Sequence, residues 1–408
     1  MKKCIIITNE FPYFSGEPFL LNELPYLSGG FEQIYIFSIN ANKNDKITRN
    51  YPSNVKVFPV GAIHSRLRYL IFILKGLLVR NKDLKIKFNL GIKKILSEIY
   101  IRGRAEDTYS KIKRLINREG LYLDDTVVYS FWFSYQAIAA WRLRDYLIKK
   151  GNKATAFSRA HGYDLYWERS AVNYLPYQDI SLSKLKKVFS CSEMGRKYLL
   201  EKFPKQKSKV AVSKLGTLDH GIYNCSSIPN LLVTCCNLES LKRMPLFAEA
   251  FSILCKENSN LQWVCIGSGE EESIIRQIVN AHCIEERVEF LGRIPNSEVI
   301  DFYKRNDVAY FCNVSTIEGI PVSIMEALSF GIPVIATNVG GTSELVSDEN
   351  GFLIDAQLTP IKLYEILKKA VEISADEYQG KRIAARKKWE IESSAEKNYT
   401  DFLKLISE

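Results

Sequence analysis

Two carboxylates flank the start of an apolar helix in the stretch Ser315-Thr-Ile-Glu318-Gly319-Ile320-Pro321-Val322-Ser323-Ile-Met-Glu326-Ala-Leu-Ser-Phe-Gly-Ile-Pro-Val-Ile-Ala336. Gly319 supplies a permissive turn, and Pro321 suits the first helical position. The amides of Val322 and Ser323 then lack intrahelical acceptors, and such a helix N-terminus favours phosphate. Glu326 falls in the second turn among Ile324, Met325, Ala327 and Leu328, where a carboxylate is costly to bury without a partner. It has two readings: a structural or solvent-facing Glu, or a fixed carboxylate for a neutral donor pair such as a ribose diol. Glu318, on the loop, stands where it can reach the group beyond the phosphates. His161 is the second chemical feature. A lone His is more often structural than catalytic, but this one ends a predicted strand and precedes Gly162, where ligand-facing residues of α/β sheets gather.

The elements that must position these residues follow an α/β rhythm. Strands are predicted at Cys4–Thr8, Ile34–Ile39, Val55–Val60, Val127–Trp132, Thr155–Arg159, Lys187–Cys191 and Val210–Leu215. Six more are predicted at Leu231–Cys236, Leu261–Gly267, Val288–Leu291, Val308–Cys312, Pro333–Thr337 and Gly351–Ile354. Helical patterns of roughly 10–15 residues separate most of them, as in doubly wound parallel sheets. With 408 residues, two domains of about 200 residues each are expected. The turn-rich stretch 216–229 is the expected linker between residues 1–215 and 230–384. Residues 385–408 read as a carboxy-terminal helix.

The net charge of +10 conceals an asymmetry. Residues 1–214 hold 38 Lys and Arg against 18 Asp and Glu, and residues 215–408 hold 18 against 28. The first part should attract anionic partners. Much of its excess lies in residues 64–118, with 15 basic and 4 acidic residues interleaved with Leu, Ile, Phe and Tyr. Contact with an anionic membrane surface and packing of an inserted helical pair on the first domain are both open, and they are compatible. No nucleic-acid signature accompanies the charge, so no nucleic-acid partner is expected. The nine cysteines are scattered with no CxxC and read as small core residues of a reducing compartment. Met1-Lys2-Lys3 leads straight into an apolar strand, so no signal peptide is expected. No continuously apolar run approaches the roughly 18 residues that span a bilayer.

Glu318 and Glu326 form the E-x7-E pattern of family 4 glycosyltransferases, and the chain resembles that family in several further blocks. Gly340-Gly341-Thr-Ser-Glu344-Leu resembles its Gly-Gly-x-x-Glu-Leu turn, and Val264-Cys-Ile-Gly267-Ser-Gly269 its strand and Gly-x-Gly turn. Val288-Glu-Phe-Leu-Gly292-Arg293-Ile294 resembles its base-binding edge, and Arg159-Ala-His161-Gly-Tyr-Asp164 its His-Gly-x-Asp segment. The resemblance runs along the whole chain and is greatest to bacterial exopolysaccharide enzymes of the colanic acid and amylovoran group. It implies the GT-B fold: two facing Rossmann-like domains with a cleft between them and a last helix crossing back to the first. It implies a retaining hexosyltransferase that uses a UDP- or GDP-sugar without a metal or other cofactor. No Asp-x-Asp occurs in the sequence. The implied acceptor is a saccharide, or one linked to polyprenyl diphosphate, for exopolysaccharide, lipopolysaccharide or capsule, and the implied location is the cytoplasmic face of the plasma membrane.

Position by position, the resemblance assigns Glu326 to the ribose hydroxyls, Glu318 to the donor sugar, and the amides after Gly319 to its hydroxyls and phosphates. Lys242 matches the lysine that neutralises the diphosphate, and His161 the histidine near the reacting carbon. Gly16, Gly267, Arg293 and Ile294 join the donor side, and Asp164 the acceptor side. The sequence departs from the family in two places. Asn237 stands where an arginine is usual, so Arg243 is the candidate to compensate. The amino-terminal loop Phe14-Ser-Gly16-Glu17-Pro-Phe19 has one glycine. Glu17 reads either as a partner of the acceptor hydroxyl or as a turn residue capping the helix from Phe19. Gly340-Gly341 reads as ligand contact or as tight backbone packing. These departures keep one alternative open, a non-catalytic GT-B partner of another transferase; a GT-B sugar-nucleotide epimerase is a further one.

Overall fold

The computed structural model describes residues 2–63, 67–222 and 228–407. Arg66, expected near the start of the basic helix, and part of the expected linker lie outside these residues. The chain divides into two units, Met1–Leu215 with Glu396–Glu408, and Gly216–Ala395. Among the described residues no helix is long and apolar enough to cross a membrane.

The first unit holds β1 (Lys3–Thr8), β2 (Gln33–Ser38), β3 (Val55–Pro59), β4 (Asp125–Ser130), β5 (Lys153–Ala160), β6 (Lys187–Ser190) and β7 (Val210–Val212). They form one parallel sheet in the order β3-β2-β1-β4-β5-β6-β7. The centre of β1 is apolar on both faces because both are covered. Ile5 and Ile7 pack with Phe37, Val128 and Trp141 on one side. Cys4 and Ile6 pack with Ile34, Val127 and Tyr129 on the other. That second face is sealed by α1 (Phe19–Gly30) and by the last helix, Ala395–Ser407, which contributes Phe402 and Ile406. The helix Ala375–Glu392 runs through Ala385 within the second unit, so the return to the first begins at Glu396, later than Ala385.

One ion pair lies within this second layer. Arg159, on β5, and Glu23, on α1, are both fully buried, with 3.2 Å between Nη2 and Oε2. The guanidinium also donates to the Ser213 carbonyl at 2.9 Å and the Tyr129 hydroxyl at 3.0 Å, and lies 4.3 Å from the Phe402 ring centre. Burial pushes the Glu23 carboxyl up, and Arg159 opposes that shift.

Between β3 and β4 the chain inserts a hairpin, α2 (Arg68–Leu78) and α3 (Ile92–Arg118). The helices touch backbone to backbone because Gly76 and Gly103 lack side chains. A Cβ at Gly76 would lie 2.0 Å from the Ile99 oxygen, and one at Gly103 1.9 Å from the Phe72 oxygen. The inserted helical pair expected from the sequence is therefore present.

The second unit holds β8 (Leu231–Cys235), β9 (Gln262–Ile266), β10 (Val288–Gly292), β11 (Val308–Asn313), β12 (Val334–Thr337) and β13 (Gly351–Ile354). Their order is β10-β9-β8-β11-β12-β13, again all parallel. Thr217 bridges to Ser394 and accepts a 2.7 Å bond from the Trp389 indole, so the start of the expected linker is part of this unit. The strand pattern read from the sequence is reproduced, and each unit is the doubly wound parallel sheet expected. In each sheet the order reverses once, between β1 and β4 and between β8 and β11. Ligands of such sheets bind beyond the strand ends at that reversal.

Replacing Arg159 with Met leaves Glu23 buried without its cation. We expect chemical denaturation to show the first unit weakened by about 3–5 kcal/mol. A loss below about 1 kcal/mol, the scale of an exposed pair, would contradict this account.

Candidate functional site

At the reversal of the second sheet, two loops leave adjacent strands. The loop after β8 ends in a single 3-10 turn, Ser240–Lys242, and the loop after β11 carries Glu318. Lys242 Nζ lies 2.6 Å from Glu318 Oε1, and both side chains are largely buried. The Asn313 amide donates to the same oxygen at 3.2 Å. The Thr316 amide ties the two loops by donating to the Leu241 carbonyl at 2.8 Å.

Arg243 follows with φ +51 and gives its guanidinium to three carbonyls: Val314 at 2.6 Å, Ala356 at 2.7 Å and Ser315 at 3.2 Å. It fastens the turn that presents Lys242 and does not stand free to compensate for Asn237, contrary to the sequence-based expectation. Asn237 is itself exposed. Gly340 and Gly341 brace the Glu318 loop from the other side. Gly340 has φ +52, and a Cβ there would lie 1.9 Å from the Glu318 oxygen. The Gly341 amide donates to the Gly319 carbonyl at 2.7 Å. Of the two readings of this pair, backbone packing is the one the geometry displays. Gly267 is similar: φ is +133, and a Cβ would lie 1.8 Å from the Cys236 oxygen.

Pro321 is the N-cap of the helix Val322–Ser329 and not its first residue, as the sequence suggested. The amides of Val322 and Ser323 meet no acceptor among the described residues, and Ile320 is half-buried beside them. Glu326 is buried, and its Oε1 accepts a 2.8 Å bond from the Asn296 side chain. Burial pushes its carboxyl up to about 7, against the pull of that bond. Glu326 thus sits near the balance between neutral and ionised forms at physiological pH. Asn296 opens the helix Asn296–Arg305, just after the end of β10, where Arg293 is exposed and Ile294 half-buried.

In the first unit, His161 follows β5 with its ring 4.7 Å from Phe131 and 4.8 Å from Trp132, centre to centre. The residue as a whole is partly exposed, but both ring nitrogens are buried and meet no hydrogen-bond partner among the described residues. Burial, helped by Arg159, pushes the imidazole down to about 3, so it is neutral at physiological pH.

Asp164 is buried and accepts from the backbone amides of His161, at 2.6 Å, and Phe133. Burial pushes it up to about 7. It clamps the ends of β4 and β5 together. Glu17 is likewise tied into the fold. With φ +50 it turns inward, and its carboxylate accepts from the amides of Asn9, Glu10 and Phe11 and from the Trp132 indole at 2.7 Å. As the turn reading expected, it sits just before α1, where Pro18 is the N-cap and the Leu20 amide donates to the Glu17 carbonyl at 3.2 Å. Gly16 is held by the Glu10 carboxylate at its amide and by Arg49 at its carbonyl.

Sequence reasoning missed Asn313 and Asn296. Each ends or begins an element, the only local signal, and each meets its carboxylate through the fold. Among the described residues, no group of three or more His, Cys, Asp and Glu is placed to hold a metal ion.

Comparison with known proteins bears on the fold and on the kind of chain this is. Residues 221–389 match the family described as Glycosyl transferases group 1. "Putative colanic acid biosynthesis glycosyltransferase WcaL" of Escherichia coli (strain K12) is 27% identical over 233 residues, covering 54% of this chain and 56% of that one. The chain spans about half the length of the curated relatives it matches. The solved structure of a mutant of S. aureus TarM in complex with Fondaparinux, alpha-GlcNAc-glycerol and UDP superposes with TM-score 0.69 at 12% identity, covering all of both chains. That of Anabaena Alr3699/HepE in complex with UDP and glucose superposes with TM-score 0.66 at 14% identity, covering 99% of each. The resemblance to glycosyltransferases of the colanic acid type is therefore borne out, and most of the second unit matches the group 1 family model.

Gly340→Ala places a methyl against the Glu318 carbonyl in a backbone conformation that alanine disfavours. We expect a loss of about 2 kcal/mol or more in the unfolding of the second unit, read by chemical denaturation. An unchanged midpoint would show that the loop has room to yield.

Proposed function

We propose that this chain transfers a sugar from a UDP- or GDP-sugar to a saccharide or polyprenyl-diphosphate-linked acceptor. In this reading it retains anomeric configuration and serves the assembly of a cell-surface polysaccharide at the cytoplasmic side of a membrane. The observation that carries the reading is the group at the second sheet's reversal: Lys242 paired with Glu318, two unpaired amides at a helix start, and the buried Glu326.

A departing nucleoside diphosphate needs positive charge aimed where negative charge develops. Lys242 supplies the cation, and the amides of Val322 and Ser323 supply dipoles at a helix N-terminus. Glu318, held by Lys242 and Asn313, offers its second oxygen to sugar hydroxyls. Glu326 accepts from the ribose diol. His161, neutral and without a hydrogen-bonding partner among the described residues, donates or accepts one bond to the transferred sugar and carries no charge.

A second reading, a non-catalytic partner of another transferase, draws on two observations. Asn237 replaces a cation, and Arg243 is committed to three carbonyls, which leaves Lys242 as the cation of this cluster. Robust glycoside formation by the purified chain alone would dispose of it. Release of free UDP with no glycoside would point instead to the epimerase reading.

Two residues test the proposal separately. If ionised Glu326 accepts from the ribose, protonation near pH 7 opposes binding. The affinity for a nucleotide-sugar, whose doubly esterified diphosphate does not titrate there, should fall about tenfold from pH 8 to pH 6. Glu326→Gln should bind weakly with a flat pH profile, and an unchanged profile would remove the ribose role. His161→Ala should keep nucleotide affinity and lose transfer by about 100-fold. Normal transfer by that variant would remove the role given to His161.

A further inference from the structure

The α2–α3 hairpin has two features that neither the core nor the proposed donor site uses. The first is a stripe of leucines. α2 turns Phe72 and Gly76 into the hairpin, whereas Leu67, Leu70, Leu74, Leu77 and Leu78 are each more than half exposed. At about 100° per residue these five fall on one side of the helix, opposite the buried pair. Single exposed leucines are ordinary on a protein surface, but a continuous row marks an interface.

The second feature is a cavity of about 580 Å³ at the end of the stripe, with Leu78 on its wall. Lys75, Arg80, Lys111, Arg114 and Arg142 line it against Glu106 and Asp107, five cations to two carboxylates. Asp107 pairs with Lys75 and, at 2.9 Å, with Lys111, and Glu106 pairs with Arg142 at 2.6 Å. Arg80 and Arg114 meet no carboxylate among the described residues, and both are exposed. The excess charge therefore stands beside the apolar row.

We propose that this hairpin docks on an anionic phospholipid bilayer, with the leucine stripe entering the interfacial layer and the basic cavity taking a lipid phosphate. The two features suit the two parts of one lipid, acyl chain and headgroup, and Leu78 belongs to both. Nucleic acid would neutralise the arginines but leave the leucines uncovered. A second copy of the chain would bring the same positive excess against this face. Only an anionic amphiphilic surface satisfies both features, because apolar burial and attraction to anionic lipid then add. The purpose of such docking rests on the transferase reading, since a polyprenyl-linked acceptor lies at that surface. The docking itself is read without turnover.

The test is co-sedimentation of the full chain with vesicles of phosphatidylcholine alone, or with phosphatidylglycerol added. The wild type should pellet with the anionic vesicles and stay in solution with the neutral ones, and salt should weaken binding. Leu70→Gln with Leu74→Gln should lower the partition at least about tenfold. Arg80→Glu with Arg114→Glu should abolish the preference for phosphatidylglycerol. Unchanged circular dichroism and nucleotide binding would show that the variants are folded.

Wild type that ignores both vesicles, or variants that bind as well as wild type, would overturn the proposal. So would a wild-type dimer in light scattering that the leucine variant dissociates while vesicles go unbound. Nucleotide-sugar turnover without vesicle binding would defeat this proposal alone. Vesicle binding without any nucleotide binding would defeat the transferase reading alone.

Discussion

The second unit's site depends on one short ion pair, Lys242 to Glu318 at 2.6 Å, placed where the order of the parallel strands reverses. A largely buried pair is costly to half-remove, because the charge left behind has no solvent to turn to. The residues around it make sense as its supports. Arg243, through three carbonyls, fastens the turn that aims Lys242. Gly340 lets its backbone abut the Glu318 carbonyl. Asn313 fills a further acceptor site on the carboxylate. The amides of Val322 and Ser323, without an acceptor among the described residues, follow Glu318 on the same loop. Glu326, a few residues on, is held by the Asn296 side chain, and burial pushes its carboxyl up to about 7.

The first unit solves a related problem differently. Several of its central polar residues are tied to the fold: Arg159 with Glu23, Glu17 with three amides and an indole, Asp164 with two amides. His161 differs from these: both ring nitrogens are buried and without a hydrogen-bond partner among the described residues, and its ring lies against Phe131 and Trp132. A buried polar ring of this kind at the end of a strand is a candidate to meet a ligand.

Much of the fold was legible because the strands are short, apolar on both faces and set off by turn formers, so β1 or β11 reads as a buried parallel strand from its residue types alone. The pairing of Glu318 with a helix start was also legible, since turn, cap and helix are local. What could not be read was where each polar side chain finds its partner. Glu17 follows a lone glycine and reads as an acceptor partner or as a turn residue capping the next helix; its bonds to three amides and an indole, at a positive φ that few glutamates adopt, show only once the loop is folded. Arg243 reads as a free cation next to Lys242, but its acceptors lie on segments about 70 and 110 residues later. Asn296 and Asn313 carry no pattern at all. The exposed leucine stripe lies between these extremes: the basic, leucine-rich composition of its segment was plain, whereas which side of α2 turns outward was settled only by the packing of Gly76 and Gly103.

The most direct measurement of the central claim, that Lys242 and its loop form a diphosphate site, is calorimetric titration of UDP, GDP and UMP into the wild type and Lys242→Met. The account predicts saturable binding of one nucleoside diphosphate, weakened about tenfold or more in the variant, with affinity for the monophosphate little changed. Folded wild-type protein that binds no diphosphate, or a variant that binds it equally well, would contradict it.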